Sequence, residues 1–324
     1  MPNNLKNSVL LIGASQMAID YVRVLLDQDI NVDVISRGTV KANELKEKFG
    51  IEVLTGSLDL YIKNLNANNY DCIINAVGQE QLFPTTCSLI KHGFDKLLIE
   101  KPGGLNAVEI RSLRDLSNSY NASIFIAYNR RFYSSVLAAQ KIIEQDGGVL
   151  SFNFEFTEWS YEMKDSKKPS IVKENWFLCN SSHVVDMAFY LGGRPKEITS
   201  YVAGGLDWHP SASKFTGAGR TENGALFSYQ ANWEAPGRWG VEILTRKHRL
   251  IFRPLEKLQV QGIGSLSCDF VDIEDEFDQK YKPGLYRQVL KFFSDGNDGL
   301  CSIDEHLLNL ILYEKIMYGK SGRS

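Results

Sequence analysis

The sequence predicts two domains of different fold class. Over residues 8–127, short apolar segments alternate with helical patterns, which is typical of a doubly wound parallel α/β sheet. Residues 224–233 instead alternate apolar and polar side chains, which is typical of a strand in a sheet that is solvated on one face. The chain has 324 residues, more than one hydrophobic core usually supports. We therefore expect an α/β domain over residues 1–126 and a second domain over residues 127–324.

The elements of the first domain follow from apolar runs and helical spacing. The predicted strands cover residues 8–12, 32–35, 52–54, 72–77, 96–99 and 124–127. The predicted helices cover residues 41–49, 58–65 and 84–92, and a further helix follows the first strand as far as Leu26. The strands are short and apolar, as expected where helices cover both faces of a sheet.

The composition argues against several kinds of protein. With 36 basic and 39 acidic residues the net charge is −3, and the longest basic run, residues 246–249, is interpreted as a hairpin turn, so we expect no nucleic-acid partner. The amino terminus is polar and no segment approaches membrane-spanning length, so we expect a cytoplasmic protein with no membrane partner. The five cysteines are scattered without a Cys-x-x-Cys pair, so we expect neither a disulfide framework nor a metal site.

The turn after the first strand has the spacing of a dinucleotide-binding turn. Such a turn needs a glycine where the chain reverses and small residues where the backbone nears a pyrophosphate and where the helix meets the sheet. Gly13, Ser15 and Ala18 occupy these positions. Serine replaces the second glycine, and an ordinary strand-to-helix turn with a serine cap is the alternative. The pattern favours a Rossmann domain, with Gln16 and Met17 beside the phosphates in the first turn of the helix.

The end of the second strand bears on the choice of cofactor. Enzymes that use NAD place an acidic side chain there, about 20 residues after the glycine turn, against the ribose hydroxyls. This chain has Ser36 and Arg37 instead, and an arginine can hold the 2′-phosphate of NADP. Asp33 is mid-strand and is expected to face the flank of the sheet. NADP is therefore favoured over NAD, and a solvated surface arginine is the alternative.

A lysine follows the strand at residues 96–99. Ligands of open α/β sheets bind beyond the carboxyl ends of the strands, so Lys101 is expected to point into the ligand crevice. Pro102 removes a backbone donor and biases Lys101 toward an extended conformation. A solvated surface lysine is the alternative.

Four motifs in this order resemble those of the Gfo/Idh/MocA oxidoreductase family. They are the turn at Gly13, the Glu100-Lys101-Pro102 sequence, residues 128–132 directly after a strand, and residues 182–193. The resemblance covers nearly the whole chain. It implies a Rossmann domain followed by an α+β domain with a large, mainly antiparallel open sheet, and pyridine-nucleotide chemistry on sugars, cyclitols and nucleotide-linked sugars. We also expect a homo-oligomer formed through the open sheet.

The resemblance implies roles for particular residues. Lys101 matches the family lysine that hydrogen-bonds the reacting oxygen, where a cation stabilises developing negative charge. His183 matches the family histidine, whose imidazole can pass the alcohol proton. Asp186, one helical turn later, is expected to orient the imidazole. The alternative for His183 is a helix-start histidine bonded to backbone. The remaining predicted cofactor contacts are Ala76, Val77, Glu100, Lys101 and Asn129.

One position departs from the family pattern. The family carries an aspartate four residues before the histidine, and this chain has Cys179, whose thiol is a poor substitute for a carboxylate. The preceding glycine-rich segment is absent as well. Glu174 is a candidate to supply the missing carboxylate, and Cys179 is otherwise a small buried hydrophobe.

Aromatic and basic residues of the second domain suit a sugar ring or a nucleotide diphosphate. They are Trp159, Tyr161, Trp208, Trp233, Trp239, Arg220 and Arg238. Arg238 follows a Pro-Gly turn and is the substrate candidate among them, whereas Trp233 is expected to face the core. The predicted substrate contacts are Lys101, Asn129, Arg130, Cys179, His183 and Arg238.

Three functions are compatible with these residues. The leading hypothesis is an NADP-dependent oxidoreductase that interconverts a secondary alcohol and a ketone on a sugar or a nucleotide-linked sugar. The second is a reductase of the same fold acting on a non-sugar such as a tetrapyrrole, as in biliverdin reductases. The third is a cofactor-binding regulator that has lost catalysis. Turnover of a substrate separates the first two from the third.

Overall fold

A computed structural model describes residues 7–294, 296–319 and 322–323 of the chain. The strands in chain order are β1 Ser8–Ile12, β2 Asn31–Ser36, β3 Val53–Thr55, β4 Cys72–Asn75, β5 Lys96–Ile99, β6 Ser123–Ile126, β7 Ser151–Glu155, β8 Pro195–Ala203, β9 Lys214–Thr221, β10 Leu226–Asn232, β11 Gly240–Leu244, β12 His248–Phe252, β13 Gln259–Gly262, β14 Asp269–Phe270, β15 Cys301–Ser302 and β16 Gly322–Arg323. The helices are α1 Gln16–Asp27, α2 Thr39–Phe49, α3 Leu58–Tyr61, α4 Leu82–Lys91, α5 Ala107–Tyr120, α6 Ser134–Gln145, α7 Ser160–Lys164, α8 Ser170–Glu174, α9 Ser182–Gly192, α10 Glu276–Lys280, α11 Leu285–Phe293 and α12 Ile303–Tyr318.

The first of two compact units contains the chain up to Tyr128 together with Leu285–Leu307. Its sheet has the strand order β15-β6-β5-β4-β1-β2-β3. The strands β1 to β6 pair in parallel, and β15 adds antiparallel to β6 at one edge. The apolar residues of β1 and β5 are buried because helices cover the sheet. The predicted doubly wound parallel sheet is confirmed.

The first unit takes residues that the sequence assigned to the second domain. Helix α11 contacts α1, where Gln28 Nε2 donates to the Tyr286 carbonyl at 3.0 Å. Phe292 is fully buried, and its ring centroid lies 6.0 Å from that of Phe125. The predicted boundaries 1–126 and 127–324 mark where the chain first passes from one unit to the other. They miss residues 285–307, which bury their apolar side chains in the first unit.

Two predicted elements end earlier than the sequence suggests. The helix expected over residues 58–65 is α3 followed by a 3₁₀ turn at Ile62–Asn64. The strand expected over residues 72–77 ends at Asn75, so Ala76 and Val77 leave the sheet at its carboxyl edge.

The second unit contains Asn129–Gly284 and the residues from Leu308 onward. Its sheet has the strand order β14-β13-β12-β11-β7-β10-β9-β8-β16, and every pairing but the parallel one between β7 and β10 is antiparallel in the described residues. The strand predicted over residues 224–233 is β10 with its flanking residues. Its predicted inner face is buried, namely Ala225, Phe227, Tyr229, Ala231 and Trp233. The large, mainly antiparallel sheet is thus confirmed.

The inner face of the second sheet packs against α9. Phe189 of this helix makes edge-to-face contacts with Phe152, Phe154 and Phe227, at centroid distances of 5.6, 5.5 and 5.0 Å. Such aromatic contacts stabilise a core beyond the area that they bury. The helix that begins at Ser182 is thereby fixed on the sheet. No helix among the described residues has the length and apolar character needed to cross a membrane.

Candidate functional site

The turn after β1 requires glycine at its first position. Gly13 has a φ of +119°, and its N–H donates to the Ile35 carbonyl at 2.8 Å. A Cβ at Gly13 would lie 2.5 Å from the Ala76 carbonyl oxygen, closer than any side chain tolerates. The backbone at the end of β4 therefore approaches the turn in a way that only glycine allows.

Ser15 caps α1. Its Oγ accepts from the Ala18 N–H at 3.4 Å and donates to the Ala76 carbonyl at 3.2 Å. Ala18 is fully buried where the helix meets the sheet, as the small residue at this position predicted. Gln16 and Met17 form the first turn of α1, and the Gln16 side chain donates to Asp20 at 3.0 Å along the helix. The amino end of α1 thus presents backbone N–H groups, the usual partners of a phosphate.

A cleft of about 420 Å³ lies at the carboxyl ends of β1, β2 and β4. The structure brings six predicted cofactor contacts together around it, namely Gly13, Ser15, Ser36, Arg37, Ala76 and Val77. The side chains of Gln16 and Met17 are not part of its lining among the described residues. Glycine and small residues leave the backbone accessible at the turn after β1. These residues therefore fit the phosphate and ribose portion of a dinucleotide.

Two cations line this cleft beyond the end of β2. Arg37 follows β2, and Lys41 lies in the first turn of α2; both are exposed, and neither forms an ion pair with a described residue. Sequence reasoning missed Lys41, although its place four residues after Arg37 was a usable signal. Asp33 is occupied elsewhere, because it accepts from the Tyr70 hydroxyl at 2.8 Å. The cleft also contains Asp59.

The Glu100-Lys101-Pro102 segment is held on both sides within the first unit. The buried Tyr21 hydroxyl donates to Glu100 Oε1 at 2.9 Å, and burial followed by the charge of Glu100 raises the pKa of Tyr21. Lys101 directly follows this glutamate after β5 and is 7% exposed. His306 Nε2 donates to the Pro102 carbonyl at 2.9 Å. Sequence reasoning missed His306, because a lone histidine in an apolar helix gives no signal of its partner.

Within the second unit, Asp186 forms a buried ion pair. Arg131 Nε donates to Asp186 Oδ2 at 2.8 Å, and Arg131 Nη2 donates to Oδ1 at 2.6 Å. The two side chains are 3% and 1% exposed. The two oxygens of Asp186 receive the fork of Arg131 and tie α9 to the segment after β6, and the predicted role of Asp186 in orienting His183 stays a prediction.

The indole of Trp239 gathers three predicted substrate contacts. The guanidinium carbons of Arg130 and Arg238 each lie 4.8 Å from a Trp239 ring centroid. The His183 ring lies 6.5 Å from the same indole. Arg238 also stacks on Trp159, at 4.4 Å. The structure thus assembles Arg130, His183 and Arg238 into one cluster, which we call the Trp239 cluster.

A buried glutamate that the sequence did not reveal adjoins this cluster. Glu158 is 4% exposed and accepts from Ser181 Oγ at 2.5 Å and from Asn180 Nδ2 at 3.1 and 3.0 Å. Arg238 Nη1 lies 3.9 Å from Glu158 Oε2. Burial is the largest influence and raises the pKa of Glu158, while the bonds from Ser181 and Asn180 and the charge of Arg238 oppose it.

A glutamate other than Glu174 bonds the turn that contains Cys179. Glu174 ends α8 and is exposed, whereas Glu158 bonds the π-helical turn at Phe177–Ser181 that contains Cys179. Cys179 is 1% exposed, in keeping with a small buried hydrophobe. A π-helical turn directly before a helix often marks a functional site. A carboxylate from the segment after β7 therefore bonds the turn that contains Cys179.

The other candidates of the second unit have structural partners. Asn129 donates through Nδ2 to the Pro283 carbonyl at 2.8 Å. Trp233 is buried as expected and donates to the Phe156 carbonyl at 3.1 Å. Arg220 pairs with Glu197 at 2.9 Å on the exposed side of the sheet. Among the described residues, no group of three His, Cys, Asp or Glu side chains is placed to hold a metal ion.

Solved structures of similar fold exist, although no protein-family model and no curated protein sequence matches the chain. A Desulfitobacterium hafniense protein assigned as an NADPH-dependent oxidoreductase has a TM-score of 0.78 and 14% identity, covering 96% of this chain and 94% of its own. Levoglucosan dehydrogenase in complex with NADH and levoglucosan has a TM-score of 0.74 and 18% identity, covering 96% of both chains. UDP-N-acetylglucosamine 3-dehydrogenase GnnA from Acidithiobacillus ferrooxidans has a TM-score of 0.73 and 14% identity, covering 96% and 97%. At these identities the likeness establishes the fold.

Proposed function

We propose that this chain is an NADP-dependent oxidoreductase that interconverts a secondary alcohol and a ketone on a sugar or a nucleotide-linked sugar. The observation that carries the proposal is the cradle at Gly13, where a Cβ would meet the Ala76 carbonyl at 2.5 Å beside the capped amino end of α1. The shared fold supports it, because levoglucosan dehydrogenase and UDP-N-acetylglucosamine 3-dehydrogenase both act on sugars.

The cofactor would be held by backbone and by two cations. The N–H groups of the first turn of α1 suit the pyrophosphate. Arg37 and Lys41 suit a 2′-phosphate, because no described carboxylate pairs with either side chain. Levoglucosan dehydrogenase was solved with NADH, so the preference for NADP rests on these two cations. When bound, the nicotinamide accepts or donates a hydride.

Two side chains of this protein would stabilise the developing charge and transfer the proton. Lys101 donates to the substrate oxygen and stabilises the negative charge that develops on it. His183 takes the hydroxyl proton in oxidation and returns it in reduction, because an imidazole titrates near neutral pH. Arg130 and Arg238 are retained as substrate contacts.

The test is a turnover screen with purified protein. Neutral sugars, sugar acids and nucleotide sugars are supplied with NADP⁺ or NAD⁺, and the corresponding ketones with NADPH or NADH, and absorbance at the nicotinamide band is followed. We expect turnover of at least one sugar, faster with the phosphorylated cofactor. We further expect Arg37→Ala and Lys41→Ala to weaken NADPH binding at least tenfold and to leave NADH binding unchanged.

Two results would contradict the proposal. A preference of the unmodified protein for NADH would refute the choice of cofactor. Binding of NADPH without turnover of any sugar or ketone would favour a regulator that has lost catalysis.

We also propose a homo-oligomer formed through the second sheet. Its outer face exposes large side chains, including Tyr201 and Leu226. Light scattering on the eluting protein gives the mass, and a monomer at all concentrations would exclude this assembly.

A further inference from the structure

The Trp239 cluster holds more positive charge than its described neighbours neutralise. The guanidinium carbons of Arg130 and Arg238 each lie 4.8 Å from a ring centroid of the same indole. Two positive groups with one described carboxylate nearby attract an anion. The cluster therefore suits a negatively charged partner.

Arg130 has no negatively charged partner among the described residues. No described carboxylate pairs with it, and its buried Nε has no hydrogen-bond acceptor. Its recorded contacts are with the aromatic faces of Trp239 and Tyr133. A buried donor without an acceptor is unfavourable, and a ligand that supplies an acceptor recovers that loss.

Arg238 is only partly neutralised. Its sole carboxylate neighbour among the described residues is Glu158, at 3.9 Å, and the oxygens of that carboxylate already accept from Ser181 and Asn180. The Arg238 side chain is 47% exposed, so a ligand can reach its remaining donors.

Arg131 shows what an arginine with a purely structural role looks like in this chain. It is buried and forms two hydrogen bonds with Asp186. Both arginines lie over an aromatic ring, Arg131 over Tyr190 and Arg130 over Trp239, each at 4.8 Å. They differ in the carboxylate, because no described carboxylate pairs with Arg130 and its Nε has no acceptor. An aromatic ring against the face of a guanidinium leaves the edge N–H groups for an oxyanion.

We propose that Arg130 and Arg238 bind an anionic group of the substrate, so that the substrate is a negatively charged sugar and not a neutral one. This inference rests on the proposed function, because it names the substrate class of the same site. A sugar acid would supply a carboxylate and a nucleotide sugar a diphosphate; both present oxyanions to two guanidinium groups.

The experiment measures binding and turnover in parallel. Calorimetry with the NADPH-loaded protein gives the affinity for D-glucuronate, for UDP-N-acetylglucosamine and for D-glucose. The same measurements are made on Arg130→Gln and Arg238→Gln. Arg246→Gln is the matched control, because Arg246 lies in the exposed turn between β11 and β12, at the other end of β11 from Trp239.

We expect at least one anionic compound to bind at least tenfold more tightly than glucose, and each cluster variant to weaken that binding about tenfold or more. Binding should also weaken as salt is raised, and Arg246→Gln should bind as the unmodified protein does. Loss confined to glucuronate identifies a sugar acid, and loss confined to the nucleotide sugar identifies a diphosphate.

Other outcomes separate the two proposals. Turnover of neutral sugars with no preference for anionic ones would overturn this inference and leave the proposed function standing. Tight, arginine-dependent binding of an anionic sugar without turnover would support the inference and contradict the proposed function. Equal loss of binding in Arg246→Gln would reduce the effect to net charge and overturn the inference.

Discussion

Replacement of Asp186 by asparagine should destabilise the second unit strongly. The carboxylate receives two hydrogen bonds from Arg131, at 2.8 and 2.6 Å, and the side chains are 3% and 1% exposed. Asparagine keeps the shape but removes the charge, so the guanidinium of Arg131 remains buried without its counter-ion. Removal of one partner of a buried ion pair typically costs about 3–5 kcal/mol.

An exposed ion pair in the same unit provides the scale for comparison. Arg220 and Glu197 lie 2.9 Å apart, but their side chains are 48% and 44% exposed. Exposed pairs contribute only about 0–1 kcal/mol because water screens both charges. Glu197→Gln should therefore leave the free energy of unfolding nearly unchanged.

Tryptophan fluorescence during urea denaturation is the appropriate measurement. All five tryptophans of the chain, Trp159, Trp176, Trp208, Trp233 and Trp239, lie in the second unit, so the signal reports on its unfolding. The free energy of unfolding from the urea curves should fall by about 3–5 kcal/mol in Asp186→Asn. A thermal melt followed by the same fluorescence should show a midpoint lower by roughly 2–4 °C for each kcal/mol lost in a unit of this size.

The double variant Arg131→Leu with Asp186→Leu distinguishes the ion pair from general damage to the core. Because it removes both charges, it should recover much of the stability that Asp186→Asn loses. A loss below about 1 kcal/mol in Asp186→Asn, similar to that in Glu197→Gln, would refute the reasoning.

Two further predictions concern Lys101 and Glu158. Lys101→Ala should lower kcat by a factor of ~10² or more with little change in NADPH affinity, since loss of one donor to a developing oxyanion costs that much; an unaltered kcat in steady-state assays would exclude the role. Burial raises the pKa of Glu158, so the native protein keeps the Glu158 proton to higher pH than the unfolded chain does. The protonated glutamate therefore contributes to stability at low pH. This contribution is lost as the pH rises above the ordinary carboxyl pKa of about 4.3. The free energy of unfolding of the unmodified protein minus that of Glu158→Gln should therefore fall between pH 4.5 and 7 in urea titrations, and a difference that rises with pH would show the opposite shift.

Local patterns in the sequence were enough to predict most of the fold. The strands β1 and β5 begin and end where the apolar runs do, and the inner face of β10 follows its alternation. Sequence reasoning did not identify α11, and an apolar helix face does not indicate which core the helix will join. Its contacts with α1 and the contact of Phe292 with Phe125 place it in the first unit.

Part of the candidate site could be predicted from the sequence and part of it could not. Gly13, Ser15 and Arg37 gather at one cleft because their chemistry is set by position relative to a strand end, which the sequence displays. Glu158 could not be identified, since its partners Ser181 and Arg238 are remote in sequence and a glutamate after a strand is ordinarily solvated. The ion pair of Asp186 with Arg131 could not be identified for the same reason, since the two residues are remote in sequence.

The return of residues 285–307 to the first unit has a consequence for synthesis on the ribosome. Domains generally fold as they emerge, amino-terminal first. Here the edge strand β15, the helix α11 and the His306 bond to the Pro102 carbonyl are all supplied after the strands β7 to β14 have been made. The nascent first unit therefore exposes the apolar surface that α11 will cover, and the edge of β6, while the strands β7 to β14 are being made. The turn that carries Lys101 acquires its His306 partner only after those strands.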